Sequence, residues 1–285
     1  MDENPVIAKC GGIRNITLDM LSQLTPTDIE EYMEYLKYYT TNNVERVNNN
    51  TGIKRKISSL KSFFNYFYKN QMINSNPVSL VSLPKLYNKE ITRLESDEVV
   101  KLIDIVSDIK ITHSSNKNIK RDLAIITLLL GTGIRVSECV GINIDDIDFE
   151  TTAIKIKRKG GKEAIIYFSD EVEKYLNDYI IERKKINLSN DENALFLSTQ
   201  KKRINVRTIE KLVKKYSSYV TPLKKISPHK LRSTFGTNLY KETDDIYLVA
   251  EVLGHNDVNT TKKHYAAIED ERKRKARNKV KLKEN

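Results

Sequence analysis

A chain of 285 residues with 39% hydrophobic residues carries enough apolar mass for a real core and has room for one large or two ordinary domains. Its formal net charge of +11 points to a polyanionic partner. No apolar run approaches the roughly 20 residues that span a bilayer, the start MDENPVIAKC lacks a signal-peptide pattern, and Cys10 and Cys139 have no metal-ligand spacing around them, so a membrane, zinc or disulfide role is not expected and the cytoplasm is the expected compartment.

The first fifteen or so residues give no periodic signal. In LTPTDIEEYMEYLKYY, Thr25 as N-cap and Pro26 at the first helical position open an amphipathic helix with Ile29, Tyr32, Met33, Leu36 and Tyr39 on one stripe. TTNNVERVNNNTG reads as a polar connection. The next predicted helix, Ile53 to Lys69, places Ile53, Ile57, Leu60, Phe64 and Phe67 at helical spacing and turns Lys54, Arg55, Lys56 and Lys61 away from them. Such a basic face suits a DNA backbone, and suits water equally well. Asn76-Pro77 ends this region, and LPKLYNKEITRL, Leu83 to Leu94, reads as a linker.

Ser96 then caps the helix DEVVKLIDIV, and His113 falls in the polar loop ITHSSNKNIK. RDLAIITLLLGTG is the most apolar segment, a buried helix predicted to stop at Gly131 and Gly133, with Arg135 following at the edge of the core and Cys139 as a buried thiol. The period then changes from helical to alternating. AIKIK (Ala153 to Lys157) and EAIIYF (Glu163 to Phe168) flank RKGGK as a β-hairpin whose Gly-Gly tip supplies positive φ, and Lys155, Lys157, Arg158, Lys159 and Lys162 make it strongly basic. Ser169 caps a further helix through Val172, Leu176, Tyr179 and Ile180. ALFLS is a short extended piece, and NVRTIEKLVKKYSSYV is another helix with a basic face.

The stretch from Ser227 to Tyr265 holds three of the four histidines. His229 and Arg232 stand three apart, on one face of a helix opened by Ser227-Pro228, with Leu231, Phe235 and Leu239 on the other. A second helix, Asp245 to Leu253, ends at Gly254, a natural left-handed cap that fixes His255. Tyr265 follows, and the group suits phosphate handling with a tyrosine nucleophile. The predicted layout is a helical domain over 1–84, a linker over 85–95 and a mixed domain over 96–285 that holds every candidate catalytic group.

GTGIRVSE with Arg135 and Glu138, RKGGKE with Lys159, HKLR with His229 and Arg232, LGH with His255, and then Tyr265 together resemble the tyrosine recombinases of the Xer and phage-integrase type. The resemblance implies a mainly α fold: a two-domain DNA clamp, with an all-helical N-terminal core-binding domain and a mixed α+β catalytic domain that carries a small antiparallel sheet. It implies strand cutting and rejoining through a 3′-phosphotyrosine and a Holliday junction, in the integration, excision or resolution of DNA elements, by a homo-tetramer on two double-stranded DNA sites. An accessory DNA-bending or directionality protein is a further possible partner. Arg135 and Arg232 would stabilise the charge on the nonbridging oxygens, since both remain protonated and offer forked donors. Lys159 would protonate the leaving 5′-oxygen, His229 accept a proton, His255 donate to the phosphate and Glu138 orient Arg135. Arg158 and Lys162 would hold the DNA backbone. No metal, nucleotide or other cofactor is expected, because the phosphotyrosine conserves the bond energy. The alternatives are a type IB topoisomerase-like activity and a non-catalytic DNA-binding protein of the same fold.

Two departures stand out. The family's usual spacing from the LGH histidine to the nucleophile is nine residues, which here reaches His264, with Tyr265 one further on. The amphipathic helix that usually precedes the segment LTPTDIEEYMEYL has no recognisable counterpart in the residues before it.

Overall fold

The computed structural model describes residues 16–41, 43–85, 92–108, 116–158, 160–186, 193–255 and 258. The chain divides into two compact units, 1–89 and 90–285.

In the first unit a short helix α1 (Leu18–Ser22) precedes α2 (Pro26–Lys37). Thr25 and Asp28 cap α2 reciprocally: the Thr25 hydroxyl accepts the Asp28 N–H at 3.3 Å, and the Asp28 carboxylate accepts the Thr25 N–H at 2.8 Å. The expectation of an all-helical unit is corrected at this helix's end. Tyr38–Thr41 (β1) and Val44–Val47 (β2) pair antiparallel from Tyr38↔Val47 to Thr41↔Val44. The reason is local: aromatic and β-branched residues fill β1 and stand at both ends of β2, and Asn43 takes φ 59 at the turn. Tyr39, read as the last residue of a helical stripe, is therefore a strand residue. Asn49 caps α3 (Asn50–Lys69), whose Ile53, Ile57 and Phe64 join Ile29, Leu36, Ile73, Val78 and Val81 in a buried core.

In the second unit α4 (Ser96–Ser107) starts one residue earlier than read: Glu95, not Ser96, is the N-cap, in a reciprocal pair with Glu98. Leu94, read as linker, is buried in the core, and its N–H donates to Thr234 Oγ1 at 3.0 Å. Helix α5 (Asn116–Thr132) is the central element, packed against α4, α7 (Asp170–Lys184) and α9 (Pro228–Thr243). Its residues from Arg121 to Leu129 are all buried, as its apolar sequence requires. The two polar members among these with ionisable groups satisfy each other: Arg121 donates to Asp122 at 2.7 Å and to the Leu197 carbonyl at 3.1 Å, while the Tyr216 hydroxyl donates to Asp122 at 2.6 Å.

Short α6 (Val136–Gly141) carries Cys139, whose thiol pKa is pushed up by complete burial. A three-stranded antiparallel sheet follows in the order β3 (Ile147–Asp148), β4 (Ala153–Lys157), β5 (Glu163–Tyr167). The β4–β5 loop is closed by the Arg158 N–H to the Lys162 carbonyl at 2.7 Å, with Gly160 and Gly161 at φ 82 and 78. Helix α8 (Val206–Val220) is capped by Asn205 and packs against α4, and α10 (Ile246–Leu253) packs on α9 through Val249, Leu253 and Tyr240. No helix among the described residues is long and apolar enough to cross a membrane.

Gly131 does not stop α5 but lies within it. A Cβ there would lie 2.5 Å from Cγ2 of buried Val172, so the glycine lets α5 and α7 approach. Gly131→Ala is expected to lower the urea-unfolding free energy by up to about 2 kcal/mol, since overpacking costs roughly 1–3 kcal/mol and the helix-propensity gain is only about 1 kcal/mol. Adding Val172→Ala should recover part of the Gly131→Ala loss, measured as a non-additive double-mutant cycle.

Candidate active site

Helix α5 ends where Gly133 takes φ +63, in a space so tight that a Cβ would meet the Phe235 ring at 2.3 Å. Two residues later Arg135 is the N-cap of α6, with extended backbone. Glu138 holds it twice: one carboxylate oxygen accepts the Arg135 N–H at 2.7 Å and the other accepts from its guanidinium at 2.9 Å. The Glu138 side chain is 4% exposed and that of Arg135 39%, so a buried carboxylate steers a guanidinium that reaches the surface. The second arm of Arg135 donates to the Gly254 carbonyl at 3.2 Å.

Pro228 at the first position of α9 places His229 on the exposed side and Arg232, one turn on, in the interior. Arg232 is 6% exposed and donates through Nη1 to the Gly133 carbonyl at 2.7 Å and through Nη2 to the Leu253 carbonyl. A buried guanidinium requires such acceptors, because its desolvation is otherwise uncompensated.

Helix α10 begins with Asp245 accepting the N–H groups of Tyr247 and Leu248 at 2.8 and 3.0 Å. It ends in a Schellman closure around Gly254 at φ +61: the Gly254 N–H donates to the Glu251 carbonyl at 2.8 Å and the His255 N–H to the Ala250 carbonyl at 2.9 Å. The half-buried His255 is thereby fixed through its own backbone. The next carbonyl, that of Val252, accepts from Arg158 Nη2 at 3.0 Å.

Arg135, Glu138, Arg158, Arg232 and His255 thus meet at the C-terminal end of one helix, although they come from four segments of the chain. Arg158 donates through Nη2 to a protein carbonyl, and Lys162 is exposed in the same loop. Sequence reading missed the acceptors themselves, because the carbonyls of Gly133, Val252, Leu253 and Gly254 carry no residue-type signal. Lys159, Tyr265, His113, His264 and the tail lie outside the described residues. On α3 in the first unit, Arg55 is exposed and Lys54 and Lys61 are half-buried. Lys56 is held at home, 3.1 Å from the Tyr39 hydroxyl and 4.8 Å from its ring centroid.

The model of the phage integrase family matches residues 92–272. The chain belongs to that family. Among curated tyrosine recombinases, XerC of Thermodesulfovibrio yellowstonii is 34% identical over 82% of this chain and 81% of its own length. XerC of Caldanaerobacter subterraneus is 36% identical over 94% and 71% respectively. The fold likeness extends to the XerH site-specific recombinase on a palindromic difH substrate, a post-cleavage complex, with a TM-score of 0.70 at 23% identity over 95% of this chain and 74% of that one. It extends also to the Tn1549 transposon integrase with circular-intermediate DNA, with a TM-score of 0.67 at 22% identity over 88% and 83%. This tyrosine recombinase is therefore a site-specific recombinase with DNA as its partner, and membership disfavours the topoisomerase-like and non-catalytic alternatives.

Glu138→Ala leaves the Arg135 N–H without its acceptor and its guanidinium held through the Gly254 carbonyl without the carboxylate. Unfolding free energy is expected to fall by about 1–3 kcal/mol, with Glu138→Gln falling less because one of the two acceptor oxygens remains; equal stability of all three proteins in urea titration would refute this role.

Proposed function

We propose that Tyr265 attacks a DNA phosphodiester at each of two paired sites, forming a 3′-phosphotyrosine and releasing a 5′-hydroxyl that then rejoins to the partner strand through a Holliday junction. The observation that carries this reading is the meeting of Arg135, Arg232 and the His255 turn at one helix end. Two guanidiniums fixed in place offer forked donors to the nonbridging oxygens, where negative charge develops in the five-coordinate transition state. Arg135 lies nearer the surface and Arg232 deeper, where a lower dielectric strengthens its effect.

The proton inventory assigns the remaining roles. The Tyr265 hydroxyl loses its proton to His229, the 5′-oxygen takes a proton from Lys159, and His255 donates a hydrogen bond to the phosphate. Glu138 orients Arg135. No cofactor enters any step. The two units, 1–89 and 90–285, act as core-binding and catalytic domains of a clamp around duplex DNA, with Lys54, Arg55, Lys61 and Lys162 toward its backbone and Lys56 a weaker contributor because Tyr39 already engages it. The enzyme works in the cytoplasm as a homo-tetramer on two sites, the basic tail from Ala266 docking on a neighbouring subunit, and an accessory bending or directionality protein sets the outcome.

The test uses a nicked suicide duplex carrying the protein's own site, obtained by selection from a random duplex library. Wild type should yield a covalent adduct and Tyr265→Phe none; an adduct that persists in Tyr265→Phe moves the nucleophile, with His264 the neighbouring candidate at the usual spacing. Lys159→Ala should slow cleavage of ordinary DNA by about 100- to 10,000-fold yet spare a substrate whose 5′-bridging atom is sulfur, because a thiolate leaves without a proton. Equal loss on both substrates would place the acid elsewhere.

A further inference from the structure

Two of the three arginines at the end of α10 have proposed work on the phosphate. Arg158 does not. It is the first residue after β4, and its backbone forms two hydrogen bonds across the turn: its N–H donates to the Lys162 carbonyl at 2.7 Å and its carbonyl accepts the Gly161 N–H at 3.1 Å. Its side chain reaches away from that turn to Val252, 94 residues on in sequence, donating to the carbonyl at 3.0 Å. The guanidinium lies against Gly254: a Cβ at that position would sit 1.7 Å from Nη1 and 2.4 Å from Cζ. Among the described residues Nε is buried without an acceptor. A basic hairpin residue with no task but solvation or a DNA phosphate would not be inserted there, because burying a donor of a charged group without an acceptor is unfavourable.

We propose that Arg158 is a positioning residue that locks the β4–β5 loop to the Val252–His255 turn, so that the hairpin and the turn bearing His255 move as one body. The chemical use of the lock, which rests on Lys159 being the general acid as proposed above, is to hold the residue next to Arg158 at a fixed distance from the phosphate site. It also gives Gly254 a second constraint. That residue must adopt a left-handed backbone and must have no side chain, since the guanidinium occupies the space.

Arg158→Ala, Arg158→Gln and Arg158→Lys test this in the full chain. Gln keeps one donor and most of the length, so it serves where Ala fails to fold, with circular dichroism and thermal melting as the fold check. By hydrogen exchange with mass spectrometry, Ala or Gln should raise exchange both at the hairpin turn and at the Gly254 and His255 amides by about tenfold or more, with α7 and α8 unchanged. Lys, which can still donate to the Val252 carbonyl, should restore part of the protection. Unchanged exchange at either segment, or a rise spread over the whole unit, overturns the lock.

The second measurement is cleavage. Arg158→Ala should slow cutting of ordinary DNA by about 10- to 100-fold, as expected for a misplaced catalytic group, and the 5′-bridging sulfur substrate should recover most of that loss. A purely structural pin would slow both substrates alike, and that result overturns the positioning role whenever Lys159→Ala is itself rescued by sulfur. Failure of sulfur to rescue Lys159→Ala refutes the acid assignment instead, and the exchange measurement then decides for Arg158 independently.

Discussion

The C-terminal end of α10 is the constraint on which the site depends. A helix leaves its last four carbonyls without intrahelical partners, at the negative end of its dipole. In α10 those are the carbonyls of Ala250, Glu251, Val252 and Leu253, and each has a partner: the His255 N–H, the Gly254 N–H, Arg158 and Arg232. Gly254, one residue on, accepts from Arg135. What would otherwise be a frayed terminus becomes a row of acceptors that gathers cations from α6, α9 and the β4–β5 loop. Cationic side chains favour that end electrostatically, so the dipole and the hydrogen-bond geometry act in the same direction.

Such a gathering requires close approach of backbones, which glycine supplies at two points. Gly133 turns the chain from α5 into α6 under Phe235 and Leu253, and its carbonyl is the other acceptor for Arg232. Gly254 ends α10 and leaves room for the Arg158 guanidinium. Both have positive φ, so a side chain would be strained at either position even if space were made. The arginine positions thus follow from backbone turns, and α5, buried along its central length, fixes those turns relative to one another.

Where periodicity and caps coincide in the second unit the elements were legible: Asp245 and Gly254 bound α10 as read, and the two strands flanking Gly160-Gly161 pair as read, whereas α5 begins at Asn116 within the stretch read as a polar loop and runs through Gly131. The hairpin Tyr38–Val47 was not legible, since its short strands follow an amphipathic helix without a breaker and Tyr39 continues the helical spacing. Leu94 misled for a different reason. Proline and charge around it gave no periodicity, yet one buried leucine and one backbone hydrogen bond to Thr234 suffice to tie it to the core. At the site, Arg135 and Glu138 were readable as a pair three apart, whereas the anchoring of Arg158 and Arg232 was not, because backbone carbonyls look alike in every sequence.

The kind of anchor matters for function. A carboxylate fixes a guanidinium but also cancels much of its charge, and a phosphate must then compete with it. Neutral carbonyls fix the plane of the guanidinium while leaving its charge intact. Arg135 is held by the carboxylate of Glu138, and solvent reaches that pair from the guanidinium side, 39% exposed against 4% for the carboxylate. Arg232, inside the protein, is oriented by the carbonyls of Gly133 and Leu253. Orientation supplied by dipoles is already in place before any DNA arrives, so it needs no reorganisation when the phosphate gains charge, which is the physical condition for strong electrostatic stabilisation of a transition state.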